Sequence, residues 1–201
     1  MSDARTPYDY SHRDGVRAIS WNDFHGICKA LALGVRAFDP EAIVAIARGG
    51  FYPGTLLAHL LRRELYPVRL TRRVADVVVH SAPVWLVEPS PLVAGRRVLV
   101  VDEIASTGET IAMVAARARE IGAAEVRTAV MYAHTWGIDK ADYVGIVSDA
   151  LLLNPWDREV LTPDGRFEWH PEYRGAFDQQ GLVPDDTLKI DAPRFELARC
   201  R

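Results

Sequence analysis

The stretch Val98-Leu-Val-Val-Asp102-Glu103-Ile-Ala-Ser106-Thr107-Gly108-Glu109-Thr110 decides how the rest of this chain is read. Four consecutive apolar residues have the pattern of a strand buried on both faces, as in the interior of a parallel sheet. Two acids and two more apolar residues follow, and a small polar turn then opens a helix that the spacing predicts to stop at Gly122. A helix start offers unpaired backbone N–H groups and the positive end of a macrodipole. Ser106, Thr107 and Thr110 add hydroxyls, and Gly108 lets the backbone close around an anion. The turn Ala105, Ser106, Thr107, Gly108, Glu109, Thr110 is thus a candidate phosphate cup. Asp102 and Glu103, at the strand end beside it, can accept hydrogen bonds from two vicinal hydroxyls, directly or through a divalent cation. A ribose 5-phosphate meets both requirements. Each piece alone has a plain structural reading, as buried strand, capped helix or solvated acids, but their occurrence in one run favours the chemical one. The GxxxxGK[ST] phosphate loop is absent.

Working outward, the same alternation of buried strand and helix recurs. Ser20-Trp-Asn-Asp23 has the form of a capping box, and Phe24, Ile27, Leu31 and Val35 follow at helical spacing, which predicts a helix to about Phe38. Residues 42–47 (AIVAIA) are a wholly apolar run ended by Arg48-Gly49-Gly50. Leu56, Leu57, Leu60 and Leu61 return to helical spacing, and residues 66–70 read as a strand. Further strands are expected at 95–101, 126–132 and 143–147, with a helix over 108–121. Residues 69–87 are β-rich but broken by Pro83, the pattern of an edge hairpin or a mobile excursion. This order predicts an α/β fold, a mostly parallel twisted sheet flanked by helices. Ligands on such sheets sit at the carboxyl ends of the strands, where both the RGG turn and the polar turn fall.

Bulk composition narrows the partners. With 201 residues, 49% hydrophobic and 25% charged, the chain is long enough for one well-buried core. A net charge of −3 gives no general basic field, which argues against nucleic acid. Cys28 and Cys200 belong to no CxxC or Cys/His ligand pattern, so neither a disulfide framework nor a zinc site is expected and a reducing cytoplasm fits. The polar start MSDARTPYDYSHRDG has no secretory apolar stretch, and no apolar run approaches the roughly 20 residues of a bilayer span. The expectation is a soluble protein with no membrane partner. A loose segment is expected over 1–19, the main domain over 20–173 and a C-terminal arm over 174–201, where charge rises and the apolar pattern thins.

The run at 98–110 resembles the phosphoribosyl pyrophosphate (PRPP) signature of type I phosphoribosyltransferases. The resemblance is closest to the bacterial xanthine-guanine/hypoxanthine branch and spans about residues 20–173. Trp21 opens the first helix, IVAIARGGFYPGTLLAHLL follows, and Asn154-Pro155-Trp156-Asp157 resembles the segment of a small hood, at about 148–173, that covers the base. The resemblance implies that Asp102 and Glu103 hold the ribose hydroxyls and help place Mg²⁺, and that Ser106 to Thr110 cradle the 5-phosphate. Arg48, Gly49 and Gly50 then stand at the family's pyrophosphate loop, two glycines giving backbone approach and Arg48 neutralising the leaving group. Arg48, Asp102 and Glu103 are the candidate catalytic residues. A flexible lid that excludes water is expected at 71–91, with Arg72 and Arg73 at its start. A homodimer or homotetramer is the assembly the family implies.

Three positions depart from that branch. Its 6-oxopurine members carry an aspartate immediately before the TG turn, where this chain has Ser106, a poor general base near neutral pH. His134 stands where those enzymes have a lysine against the exocyclic oxygen of the base. Leu151 falls near the position that stacks on the base, so His134, Leu151, Leu152 and Trp156 are the candidate base contacts. The expected activity is Mg²⁺-dependent transfer of the 5-phosphoribosyl group from PRPP to a purine-like heterocyclic base, with release of pyrophosphate. The alternative is a non-catalytic PRPP or nucleotide sensor of the same fold. A pyrophosphokinase would be longer and internally duplicated.

Overall fold

The computed structural model describes residues 9–74 and 77–189, so expectations for 1–8, for part of the lid at 75–76, for the arm at 190–201 and for Cys200 lie outside the described residues. The elements run β1 (Val16–Ala18), α1 (Trp21–Gly34), β2 (Ala42–Ala47), α2 (Phe51–Leu61), β3 (Glu64–Thr71), β4 (Arg73–Val74), β5 (Val77–Val78), β6 (Val84–Val87), β7 (Arg97–Ala105), α3 (Glu109–Glu120), β8 (Glu125–Ala133), β9 (Tyr143–Val147), β10 (Leu151–Leu153), β11 (Glu159–Leu161), β12 (Phe167–Trp169) and α4 (Pro171–Gln179). Among the described residues no helix is long and apolar enough to cross a membrane.

These elements divide into two compact units, Asn22–Asp149 and the residues up to Trp21 together with those from Ala150 on. The first holds a six-stranded sheet ordered β6-β3-β2-β7-β8-β9. Every neighbouring pair is parallel except β3 with β6. Full burial of Ala42, Ile43, Val44 and Ala45 in β2 and of Val98 through Val101 in β7 explains why both strands read as unbroken apolar runs, since each is covered on two faces. Val44, Ile46, Val98, Val100 and Val130 pack with Ile111, Val114 and Ala118 of α3 on one face. On the other, α2 approaches so closely that a Cβ at Gly54 would lie 2.5 Å from the Ala45 methyl. A Cβ at Gly145 in β9 would likewise lie 2.5 Å from Ile27 of α1.

The expected hairpin over 69–87 resolves into β6, which pairs antiparallel with β3 at the sheet edge across a register shift at Arg69/Leu70, and a separate two-residue pairing of β4 with β5. Pro83 immediately precedes β6, a site where its missing N–H breaks no ladder bond. The strand expected at 95–101 continues four residues further, so Asp102 and Glu103 lie within β7 rather than after it.

In the second unit, β1 pairs parallel with β10, residue for residue from Val16–Leu151 to Ala18–Leu153. Residues 16–18, read from sequence as part of a loose segment to residue 19, are therefore a strand. This pairing joins the start of the chain to the stretch after Ala150. β11 and β12 form an antiparallel pair, and Leu151, Leu153, Trp169, Ala176 and Phe177 make the unit's core.

Candidate active site

The carboxyl end of β2 turns sharply into α2 through Arg48-Gly49-Gly50, and the Ala47–Arg48 peptide bond is cis. The two glycines are required by close approach. A Cβ at Gly50 would sit 2.6 Å from the Ile46 carbonyl oxygen, 2.8 Å from that of Val101 and 2.9 Å from the Asp102 Cα. One at Gly49 would sit 1.8 Å from Glu103 Oε2. The turn thus lies directly on the end of β7, with no room for a side chain. Strand alternation sends Glu103 to the α2 face with Leu99 and Val101, and Asp102 to the α3 face with Val98 and Val100. Arg48 is exposed.

Asp102 Oδ1 accepts the Glu103 backbone N–H at 2.8 Å. Despite that favourable contact, burial pushes the Asp102 carboxyl up from the ordinary 3.8 to about 7. The group is poised near neutrality, where a cation or a pair of hydroxyl donors would draw it back to the charged form.

Beyond β7 the chain bends through Ser106 and Thr107 into Gly108, which is left-handed (φ 74°, ψ 0°) and caps α3. That conformation suits glycine. The Thr107 hydroxyl oxygen accepts the Glu109 N–H at a long 3.4 Å, so the first turn of α3 is only weakly capped from within. Glu109, in that first turn, pairs with Arg72, which comes from the end of β3.

The segment Thr135–Lys140 packs on this turn. A Cβ at Gly137 would lie 2.5 Å from the Ala105 carbonyl oxygen and 2.8 Å from that of Ser106. A Cβ at Gly108 would lie 2.5, 2.8 and 3.2 Å from Cβ, Cγ and Cδ of Lys140. Nothing in the local sequence marks Lys140, because its place at the cup depends on the parallel pairing of β7 with β8 and on Gly137.

His134 precedes that segment and is 2% exposed, so it is a buried residue rather than a solvated one. Its Nδ1 meets the Ser148 carbonyl oxygen at 2.7 Å, and its ring stacks on Trp136 at 4.5 Å between centroids. In the neutral ring that contact puts the proton on Nδ1. Asp149 fixes the neighbouring Thr135 by accepting from its N–H and its hydroxyl, both at 2.8 Å.

Candidates in the second unit have different surroundings. Leu151 packs into the core around Trp169 and Phe177. Leu152, also buried, points to the opposite face of the β1–β10 ribbon. Trp156 lies against Trp21 at 6.1 Å between centroids with the rings tilted by 51°. Arg158, unremarked in sequence, is 8% exposed and serves backbone carbonyls: Nε donates to Asn154 at 3.1 Å, Nη1 to Leu188 at 2.8 Å, and Nη2 to Leu153 at 3.4 Å and to Ile19. The Tyr173 hydroxyl donates to Asp157 Oδ1 at 2.9 Å, yet burial holds that carboxyl above its usual range.

Comparison with known proteins bears on what this arrangement serves. A family model described as the phosphoribosyl transferase domain matches residues 24–160. A xanthine-guanine phosphoribosyltransferase of Nitratidesulfovibrio vulgaris is 31% identical over 155 residues, which cover 72% of this chain and 86% of that protein. The crystal structure of a purine phosphoribosyltransferase from Pyrococcus horikoshii superposes with a TM-score of 0.62 at 25% identity, covering 70% of this chain and 93% of that one. A Neisseria gonorrhoeae protein of unassigned function, solved with bound ppGpp, superposes at 0.57 with 24% identity over 81% of this chain and 97% of its own, a likeness of fold alone.

Proposed function

The chain belongs to the phosphoribosyltransferase family, and from that premise we propose that it transfers the 5-phosphoribosyl group of PRPP to a ring nitrogen of a purine-like base and releases pyrophosphate. The observation that carries this reading is the seating of Gly49 and Gly50 on Asp102 and Glu103, beside the glycine-opened start of α3. A diphosphate on the first turn and a 5-phosphate on the second would bracket a ribose whose hydroxyls meet the two acids.

In this reading Arg48 and the N–H groups of the Gly49–Gly50 turn stabilise negative charge as it grows on the departing diphosphate. Asp102 and Glu103 hold the ribose diol and favour the positive charge that develops at C1. Ser106, Thr107 and Thr110, with the backbone of Gly108 and Glu109, take the 5-phosphate and fix the sugar's position. Asp102 and Glu103 would also hold Mg²⁺. Among the described residues no three His, Cys, Asp or Glu stand together as a protein cage, and adjacent hard oxygen donors suit a cation that keeps water and substrate oxygens as ligands. Such an ion, when bound, would supply Lewis-acid charge to the diphosphate. His134 is the side chain of the sheet-bearing unit proposed to meet the base. Ser106 offers a hydrogen-bond donor and no base, so an acceptor that needs no deprotonation by that residue fits best. The proposed assembly is a homodimer or homotetramer.

The test is pyrophosphate release from PRPP with Mg²⁺ across oxo-, amino- and deazapurines. Base-dependent release by the wild type, lost in Arg48→Ala and Asp102→Asn, is the expected result. Tight PRPP binding without release on any base would overturn catalysis and leave the sensor.

A further inference from the structure

We propose that Lys140 is a binding residue for the proposed reaction, supplying the cation that meets the 5-phosphate of the sugar at the start of α3. This rests on the cup reading above and adds to it a residue from outside the signature run. The side chain is placed by two contacts. Gly137 seats the Thr135–Lys140 segment on the Ala105 and Ser106 carbonyls, and the Lys140 stem then lies along Gly108, its Cβ 2.5 Å from where a Cβ of that glycine would stand. Gly108 is therefore required twice, for its left-handed backbone and because any side chain there would displace the lysine.

Charge points the same way. The turn region carries Asp102, Glu103 and Glu109, and a phosphate dianion brought beside them meets like charge. Arg72 is engaged by Glu109, and Arg48 belongs to the other turn, on the diphosphate side. Lys140 Nζ is held by Asp139 Oδ2 at 3.0 Å, in a pair whose side chains are 41% and 68% exposed. An ion pair in that setting is weak, and a flexible ammonium exchanges it readily for a dianion. Free of Asp139, the ammonium is about two bonds beyond a Cδ that stands 3.2 Å from where a Cβ on Gly108 would lie, within reach of an anion on the α3 N–H groups.

The experiment is direct binding of ribose 5-phosphate and of unphosphorylated ribose, by calorimetry, to wild type, Lys140→Gln, Lys140→Arg and Asp139→Asn. Steady-state KM for PRPP and kcat are measured alongside. Lys140→Gln is expected to weaken ribose 5-phosphate by roughly tenfold, the scale of one charge-assisted hydrogen bond. Lys140→Arg should restore most of the affinity, and Asp139→Asn should match or exceed the wild type. KM for PRPP should follow these changes with kcat within about twofold, a split that a general loss of packing would not produce. Wild-type-like binding of ribose 5-phosphate by a folded Lys140→Gln overturns the role of Lys140 and leaves the cup standing. Failure of the wild type to prefer ribose 5-phosphate over ribose overturns the cup itself.

Discussion

Two regions of this molecule handle buried or crowded charge in opposite ways. At the carboxyl ends of β2 and β7, glycines bring backbone against the strand end, and burial leaves Asp102 with a carboxyl pushed up to about 7. Around β10, Arg158 is committed to structure, its guanidinium donating to the carbonyls of Ile19, Leu153, Asn154 and Leu188. The first arrangement is costly for folding and, in the proposed function, serves to bind a sugar phosphate. The second ties three chain segments together. Substitutions in the two regions should therefore fail differently.

The largest effect is expected at Gly50. An alanine there would place its methyl within 3 Å of two backbone carbonyl oxygens and the Asp102 Cα, none of which is a flexible side-chain end. A displacement of about 1 Å at this point is worth ~10²-fold in a positioned reaction, so Gly50→Ala should lose at least that in kcat/KM for PRPP and also unfold at lower temperature. Gly49→Ala meets the Glu103 side chain alone, its Oε2, Cδ and Cβ, and no backbone atom, so that side chain must shift. It should lose less stability than Gly50→Ala and still lose activity. Equal losses of stability in the two variants would show that the turn is a rigid structural corner and not a seat for a ligand.

Next comes Arg158→Met, which fills the volume but leaves buried carbonyls without donors. An unsatisfied buried acceptor costs about 1–3 kcal/mol. Urea denaturation should therefore show a loss of about 3 kcal/mol or more, whereas Arg48→Ala leaves unfolding nearly unchanged and removes turnover. If Arg158→Met unfolds like the wild type, the contrast between the two regions fails.

How much of this was legible beforehand follows the same divide. β2 and the first part of β7 declare themselves because burial on both faces leaves residues 42–47 and 98–101 wholly apolar, and the polar turn is written in consecutive letters from Ser106 to Thr110. Acids after an apolar run mark a strand's end in sequence, but the open carboxyl edge of the sheet tolerates them inside β7, which runs on to Ala105. Lys140 and Arg158 gave no signal. Their placement comes from partners far along the chain, 32 residues for Gly108 and Lys140 and 139 for Arg158 and Ile19. That Leu151 packs in a small core becomes visible only once β1 pairs with β10.

Asp102 gives a smaller effect with a definite sign. Its folded value, about 7, lies above the ordinary 3.8, so between those values the folded protein binds more protons than the unfolded chain. Stability should fall as pH rises from about 4 to about 7 and level off above that, by no more than a few kcal/mol. Asp102→Asn removes the titrating group. Thermal melts should find it more stable than the wild type near pH 8, by several degrees, with the gap narrowing steadily as pH falls and closing only below about pH 4. A variant that melts with the wild type at both values would mean that the carboxyl is ordinarily solvated, and the contrast drawn above would lose its first member.

The smallest effect belongs to Arg72 and Glu109, whose side chains are 43% and 41% exposed. Exposed ion pairs contribute little because water screens them and both side chains lose freedom in forming them. Arg72→Ala should shift the melting temperature by only ~1–2 °C, and the shift should vanish in high salt. Function sharpens the point. Glu109 stands in the first turn of α3, where a carboxylate suits the helix but opposes a phosphate. Glu109→Gln should therefore leave stability almost unchanged while lowering KM for PRPP by about two- to threefold, since an anion would no longer meet like charge. Arg72→Ala, which leaves Glu109 without that cation, should move KM the opposite way. Parallel shifts in both variants would mean that the pair acts on the lid rather than on the charge of the cup.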